Sequence, residues 1–153
     1  MFLIECATGK KVEAIIEAVN RNEFRSIEKS ERFGFDWNVE ATNIVCKLSA
    51  IENTEILGVM SLIDFQDQNW IKINLLESSY ENVGANKKYD RIAGCLIAYA
   101  CRMVFKRNYY GAIGLFPKTR LKKHYMEKYG FCERGRYLES DGLNSIELTK
   151  EYL

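Results

Sequence analysis

Proline is nearly missing from this chain, with Pro117 its only example, and the ten glycines are scattered through 153 residues rather than gathered. That excludes a Pro-rich linker, a collagen-like repeat and a low-complexity segment. Histidine is as scarce, His124 being the only one. The five cysteines, Cys6, Cys46, Cys95, Cys101 and Cys132, are odd in number, widely spaced and never in a C-x-x-C pair. Neither a zinc ligand set nor a disulfide framework is spelled out by such spacing, and no metal is expected. Most of these thiols lie in apolar runs, where they act as small hydrophobes, and reduced thiols fit a cytoplasmic chain. No apolar run approaches the ~18 residues of a membrane span, so no membrane partner is expected. The opening MFLIECATGKK has no basic segment before its short apolar run and reads as a first strand rather than a signal peptide. No Gly-x-x-x-x-Gly-Lys-Ser/Thr run occurs, which leaves P-loop chemistry unsupported.

What is present is packing material: 47% apolar and 12% aromatic residues, enough for one globular domain over 1–153 with a real core. Residues 2–7 read as a strand ending at Thr8-Gly9. Val12, Ile15, Ile16 and Val19 then recur at helical spacing to about Asn22, with Thr8 as cap. The stretch 25–43, with Phe33, Phe35 and Trp37, carries no readable period. From Ile44 three runs rich in β-branched and aromatic residues, NIVCKLSA, ILGVMSLIDF and WIKINLLE, joined by short polar links, predict an antiparallel meander. In the third, Ile71, Ile73 and Leu75 share one face, and the period of two carries Glu77 onto it at the strand's end.

After a polar loop, 78–86, the period becomes 3.6. Ile92, Leu96 and Ala100, with Ala93, Ile97, Cys101 and Val104, predict a helix to about Phe105. The run 112–116 reads as a strand. Thr119 is the expected N-cap of a second helix closed by Gly130, and the last 20 residues read as a hairpin about Asp141-Gly142. The fold class expected is α/β in the α+β sense: a mixed, largely antiparallel sheet flanked by helices.

Charge locates the chemistry. The overall balance is +1, yet residues 84–136 hold 13 Lys or Arg against 3 Asp or Glu, a local +10 that leaves −9 on the other 100. Such asymmetry points to an anionic ligand. Within it, NKKYDRIAGCLIAYA opens a helix with Lys87, Lys88 and Arg91 beside the small Ala93 and Gly94, and helix N-termini offer unpaired N–H groups to phosphate.

At these residues the chain resembles the GNAT superfamily of acyl-CoA-dependent N-acyltransferases. Lys88-Tyr89-Asp90-Arg91-Ile92-Ala93 is similar to that family's Gln/Arg-x-x-Gly-x-Gly/Ala pyrophosphate loop, with Leu96 and Ile97 at its paired apolar positions. The ending Tyr125-Met126-Glu127-Lys128-Tyr129-Gly130-Phe131 resembles the family's Tyr-x-Lys-x-Gly-Phe. Together these cover a cofactor-binding core of about 55–131. Arg91 stands at the first Gly position, Lys88 at a Gln or Arg position, and Tyr125 lies five rather than four residues before Gly130.

The resemblance implies an N-acetyltransferase in which an amine attacks acetyl-CoA directly. Lys87, Lys88, Arg91, Ile92, Ala93 and Gly94 would hold the diphosphate. Backbone N–H groups near Leu75 and Leu76 would face the oxyanion. Glu77 would be the general base, with Glu81 or Asp64 behind it, and Tyr125 the general acid, with Tyr129 second. The acceptor is expected to be a small-molecule or peptide amine, framed by 78–86 and 25–43. The oligomeric state stays open, a homodimer included. The alternative is a non-catalytic module that binds coenzyme A, or nucleic acid through the basic segment and Tyr89, Tyr99, Tyr109, Tyr110 and Tyr125; nucleic acid is the less expected partner.

Overall fold

The computed structural model describes all 153 residues. Nine strands form one mixed sheet: β1 (Phe2–Glu5), β2 (Lys11–Ala18), β3 (Ile44–Ala50), β4 (Ile56–Phe65), β5 (Trp70–Ser78), β6 (Tyr89–Asp90), β7 (Ile113–Leu115), β8 (Cys132–Arg134) and β9 (Tyr137–Ser140). Their order across the sheet is β6-β1-β2-β3-β4-β5-β7-β9-β8. Four helices accompany them: α1 (Arg21–Lys29), α2 (Ile92–Lys106), α3 (Thr119–Tyr129) and α4 (Gly142–Tyr152). The meander, the strand at 113–115 and the helices α2 and α3 lie where the sequence puts them.

Two compact units divide the chain, residues 1–61 with 75–96 and residues 62–74 with 97–153. In the first, β1 pairs antiparallel with both β2 and β6, and β2 with β3. The segment 11–18 is thus a strand, not the expected helix. Val12, Ala14 and Ile16 are its buried alternate residues, while Ile15 faces outward at 42% exposure. Thr8 caps no helix; its hydroxyl bridges the β1–β2 turn, accepting from the Lys10 N–H and donating to Glu5. The helix comes later, where Asn20 accepts from the Asn22 and Glu23 N–H groups and Glu23 returns the bond to the Asn20 N–H. This reciprocal capping box fixes the start of α1. Its apolar face, Phe24 and Ile27, packs on Trp37, Val45 and Val59, with Phe33, Phe35 and Leu75 against the edge of that cluster. Gly58 keeps the opposite approach close: a Cβ there would lie 2.6 Å from Ile92 Cγ2 and 3.0 Å from Leu96 Cδ1, so α2 rests directly on β4.

In the second unit β5 runs parallel to β7, Ile71 against Ile113 and Ile73 against Leu115, and β7 pairs antiparallel with β9. The C-terminal hairpin is β8–β9, turning at Gly135-Arg136 rather than at Asp141-Gly142. Asp141 instead caps α4, its carboxylate accepting from the Asn144 N–H. Ser145, Leu148 and Tyr152 are the buried side of that helix, a spacing that the apparent alternation of SIELTKEYL conceals. Lys118, not Thr119, is the residue preceding the first turn of α3, and Gly130 closes that helix at φ +67° as expected. No helix is long and apolar enough to cross a membrane.

Strand β5 and the residue after it are bonded to neighbours on both sides. The Ile71 N–H donates to Ala112 O on the β7 side, whereas the Ser79 N–H donates to Leu57 O on the β4 side.

Candidate functional site

The junction of β6 and α2 is built from the chain outward. The long link after β5 is tied down by Asn82, which is buried, donates to Ser79 Oγ at 2.9 Å and accepts from the Tyr89 N–H at 2.8 Å. Lys88 is held through its backbone, its N–H donating to Glu81 O and its carbonyl accepting from the Cys6 N–H. Two residues of strand follow, and then Arg91 turns the chain at φ +80° into α2. That conformation favours glycine. It is the backbone a glycine would supply at this place in the loop, here imposed on an arginine. The Arg91 side chain is carried back over β1: its Nε donates to Phe2 O at 3.2 Å, and its guanidinium carbon lies 4.4 Å from the Phe2 ring centroid. Lys11 Nζ also lies 4.4 Å from that ring. Asp90 faces the same turn, accepting from the Arg91 N–H at 2.8 Å and from Lys87 Nζ at 2.6 Å. Lys87, Lys88, Arg91, Ile92, Ala93 and Gly94 are therefore gathered at one helix start, and Phe2 and Lys11 join them. Nothing local to residues 2 and 11 signals that partnership, which depends on β6 pairing with β1.

At the end of β5, Glu77 is not an open carboxylate. Its Oε1 accepts from the Gly34 N–H at 2.5 Å, and its Oε2 from the Phe35 N–H at 3.2 Å and the Trp37 indole Nε1 at 2.9 Å. Asp36 organises the same turn by accepting from the Asn38 N–H at the start of a 3-10 turn, Trp37–Thr42. Leu75 packs on the Trp37 cluster, and Leu76 lies between Leu75 and Glu77 on the same strand, half-buried. Glu81 pairs with Arg32 and accepts from Ser79 Oγ at 2.8 Å. Burial alone would raise the Glu81 pKa, but the Arg32 hydrogen bond and charge, with its own N–H and Ser79, outweigh it and hold the carboxyl below the ordinary carboxylate range.

In the second unit, Asp64 is paired with Arg107, its side chain 8% exposed. Tyr125 is half-buried, its ring about 6.0 Å from those of Tyr129 and Phe131. Burial pushes its hydroxyl pKa up, so the phenol stays protonated. Helix α3 is regular to its end, the Gly130 N–H donating to Met126 O. Tyr125 and the exposed Met126 thus remain about 100° apart around the axis, with no bulge to exchange them. Tyr129 is buried, its ring 6.2 Å from that of Tyr152. His124 stands exposed on the same helix, edge-on to both tyrosines.

Burial raises the thiols of Cys46 and Cys95 to about 11 and that of Cys101 to about 12, while Cys6 and Cys132 are exposed. Thiolate is the reactive form. An aromatic disulfide reagent at pH 8 should therefore titrate two thiols in the native protein and all five in denaturant. A third fast-reacting thiol in the native protein would contradict the burial.

Solved structures share this fold. The chain is similar to AtaT complexed with acetyl-methionyl-tRNA, at 12% identity over 89% of this chain and 98% of that one, with a TM-score of 0.55. It is similar to a GNAT family acetyltransferase from Brucella melitensis in complex with acetyl-CoA, at 10% identity, covering 84% and 88%, with a TM-score of 0.57. An N-acetyltransferase from Staphylococcus aureus matches at 12% identity over 84% and 98%, with a TM-score of 0.58. This chain has the GNAT fold. No family model and no curated protein matches its sequence. In this chain β6 leads into the first turn of α2 through Arg91, whose backbone is left-handed.

Proposed function

We propose that this protein is an acetyl-CoA-dependent N-acetyltransferase, one domain over 1–153, working on an amine acceptor in the cytoplasm. The observation that carries the reading is the turn at Arg91. A left-handed residue delivers the chain into a helix start made of Ile92, Ala93 and Gly94, with Lys87, Lys88, Arg91 and Lys11 close by. Small residues leave room for a diphosphate to meet the first-turn N–H groups, and the cations neutralise it. The donor set fits the group, and the local +10 charge belongs to the same segment.

When bound, acetyl-CoA supplies a thioester carbonyl open to a neutral amine. The residues of this chain would divide the remaining work. Lys87, Lys88 and Arg91 hold the diphosphate, and the backbone at Leu75 and Leu76 offers N–H donors to the oxyanion. Tyr125, kept protonated by burial, is the proposed donor to the leaving thiolate, with Tyr129 second. Glu77 marks the acceptor side. That AtaT is found with an acetylated aminoacyl-tRNA widens the acceptor class to macromolecular amines.

The test is release of free coenzyme A thiol from acetyl-CoA in the presence of a panel holding a polyamine, a peptide with a free N-terminus and an aminoacyl-tRNA. Release dependent on one of these amines supports the reading. Coenzyme A binding with no amine-dependent release from any of them leaves the non-catalytic module.

A further inference from the structure

We propose that Glu77 is a positioning residue that holds the 34–37 turn against the end of β5 to shape the acceptor side, and that the amine loses its proton to solvent rather than to Glu77. This rests on the acetyltransferase reading. The geometry behind it is specific. Three N–H donors from one short turn, Gly34, Phe35 and the Trp37 indole, converge on the two oxygens of this carboxylate from positions about 40 residues away in sequence. An ionised carboxylate has about four lone-pair sites, and three are taken. A general base must turn a lone pair to the amine and then hold the proton; the one site left is on Oε1, and a proton there would cancel the charge on which all three bonds to the turn depend.

The turn is also seated too closely to be incidental. A Cβ at Gly34 would lie 2.7 Å from Tyr80 Oη and 3.3 Å from Glu77 Oε1, so the backbone at 34 reaches the carboxylate because no side chain intervenes. Behind the turn, Trp37 is 1% exposed and packed among Phe24, Ile27, Val45 and Val59. The clamp therefore joins the end of β5 to the core of its unit through a rigid ring. Phe33 and Phe35, half-buried on either side of Gly34, are the surfaces it orients.

In the resulting step the amine nitrogen forms a bond to the acetyl carbon and the carbon–sulfur bond breaks. The nitrogen proton passes to water or buffer, and the departing thiolate takes a proton from Tyr125 or from solvent. No oxidant, reductant or further co-reactant is required.

The experiment compares wild type, Glu77→Gln and Trp37→Phe, using whichever amine of the panel supports release of coenzyme A and a second amine of the same type whose pKa differs by about one unit. Expected for Glu77→Gln is a rise of about tenfold or more in the acceptor KM, with kcat within about threefold of wild type. The acidic limb of the pH profile should be unchanged in the variant and should move with the pKa of the amine. Amide exchange at Gly34 and Phe35 should speed up by at least tenfold, and Trp37→Phe, which removes one donor and keeps a ring, should show a smaller change of the same kind. A fall of 100-fold or more in kcat with KM unchanged, together with loss of the acidic limb, would overturn the proposal. So would unaltered exchange at Gly34 and Phe35 in both variants. If Glu77→Gln does not fold, Trp37→Phe decides by the same readouts. If wild type acetylates no amine, the acetyltransferase reading fails, whereas the exchange measurements still test the clamp.

Discussion

Replacing Arg91 by Glu is expected to weaken coenzyme A binding by about 100-fold, the equivalent of about 2.7 kcal/mol. A charge-assisted contact to phosphate contributes roughly 1.5–3 kcal/mol, and reversal adds repulsion beside Asp90, already present at the same turn. The substitution is informative because Glu and Arg bear the left-handed backbone at φ +80° equally badly, so backbone strain is unchanged while the charge reverses and the contacts with Phe2 are lost. Arg91→Gly separates the two contributions further. It removes the guanidinium from Phe2 and relaxes the turn, so its melting temperature should not fall while its affinity drops about tenfold. Titration calorimetry reads the affinities, and thermal unfolding reads the melting temperature. Affinities for Arg91→Glu within threefold of wild type would show that the guanidinium, pinned over Phe2, takes no part in holding the diphosphate.

The largest effect on stability is expected at Trp37. The ring is almost wholly buried in the cluster of Phe24, Ile27, Val45 and Val59, and its Nε1 is one of the three donors on Glu77. Truncating a buried Trp to Ala costs about 3–5 kcal/mol through lost transfer energy and the cavity left behind. For a chain of this length that corresponds to a fall of roughly 10 °C in melting temperature. The loss of the indole also leaves Glu77 with two donors in place of three. Thermal unfolding followed by near-UV circular dichroism reads the change; a drop under about 3 °C would mean that the 33–37 segment is not part of the folded core.

That segment also marks where the sequence ceased to be legible. The meander from Ile44 onward was readable because β-branched runs and short polar links act locally, and α2 because seven apolar residues keep a period of 3.6. β2 was misread because Val12, Ile15, Ile16 and Val19 satisfy helical spacing; the buried set is Val12, Ala14 and Ile16, and the outward-facing Ile15 disguised the period of two. The start of α1 was available in Asn20 and Glu23, a capping-box pair three residues apart. The clamp on Glu77 was not available at all, since no local property of Gly34-Phe35-Asp36-Trp37 encodes a carboxylate on a distant strand. Glu77 itself was visible from the period of β5, but its bonding was not. At the proposed cofactor side the reverse holds. Lys87, Lys88, Arg91, Ala93 and Gly94 lie in one stretch of chain, so the sequence carries most of the proposed site, and only Phe2 and Lys11 require the fold.

The central claim is that the start of α2 holds the diphosphate of an acyl-CoA. Calorimetric titration of the wild-type protein with coenzyme A, alongside pantetheine, which lacks the diphosphate, tests it most directly. Saturable binding of coenzyme A at micromolar concentration, with pantetheine at least 100-fold weaker and the difference erased by Arg91→Glu, is the result expected. No heat of binding from coenzyme A up to millimolar concentration would contradict it.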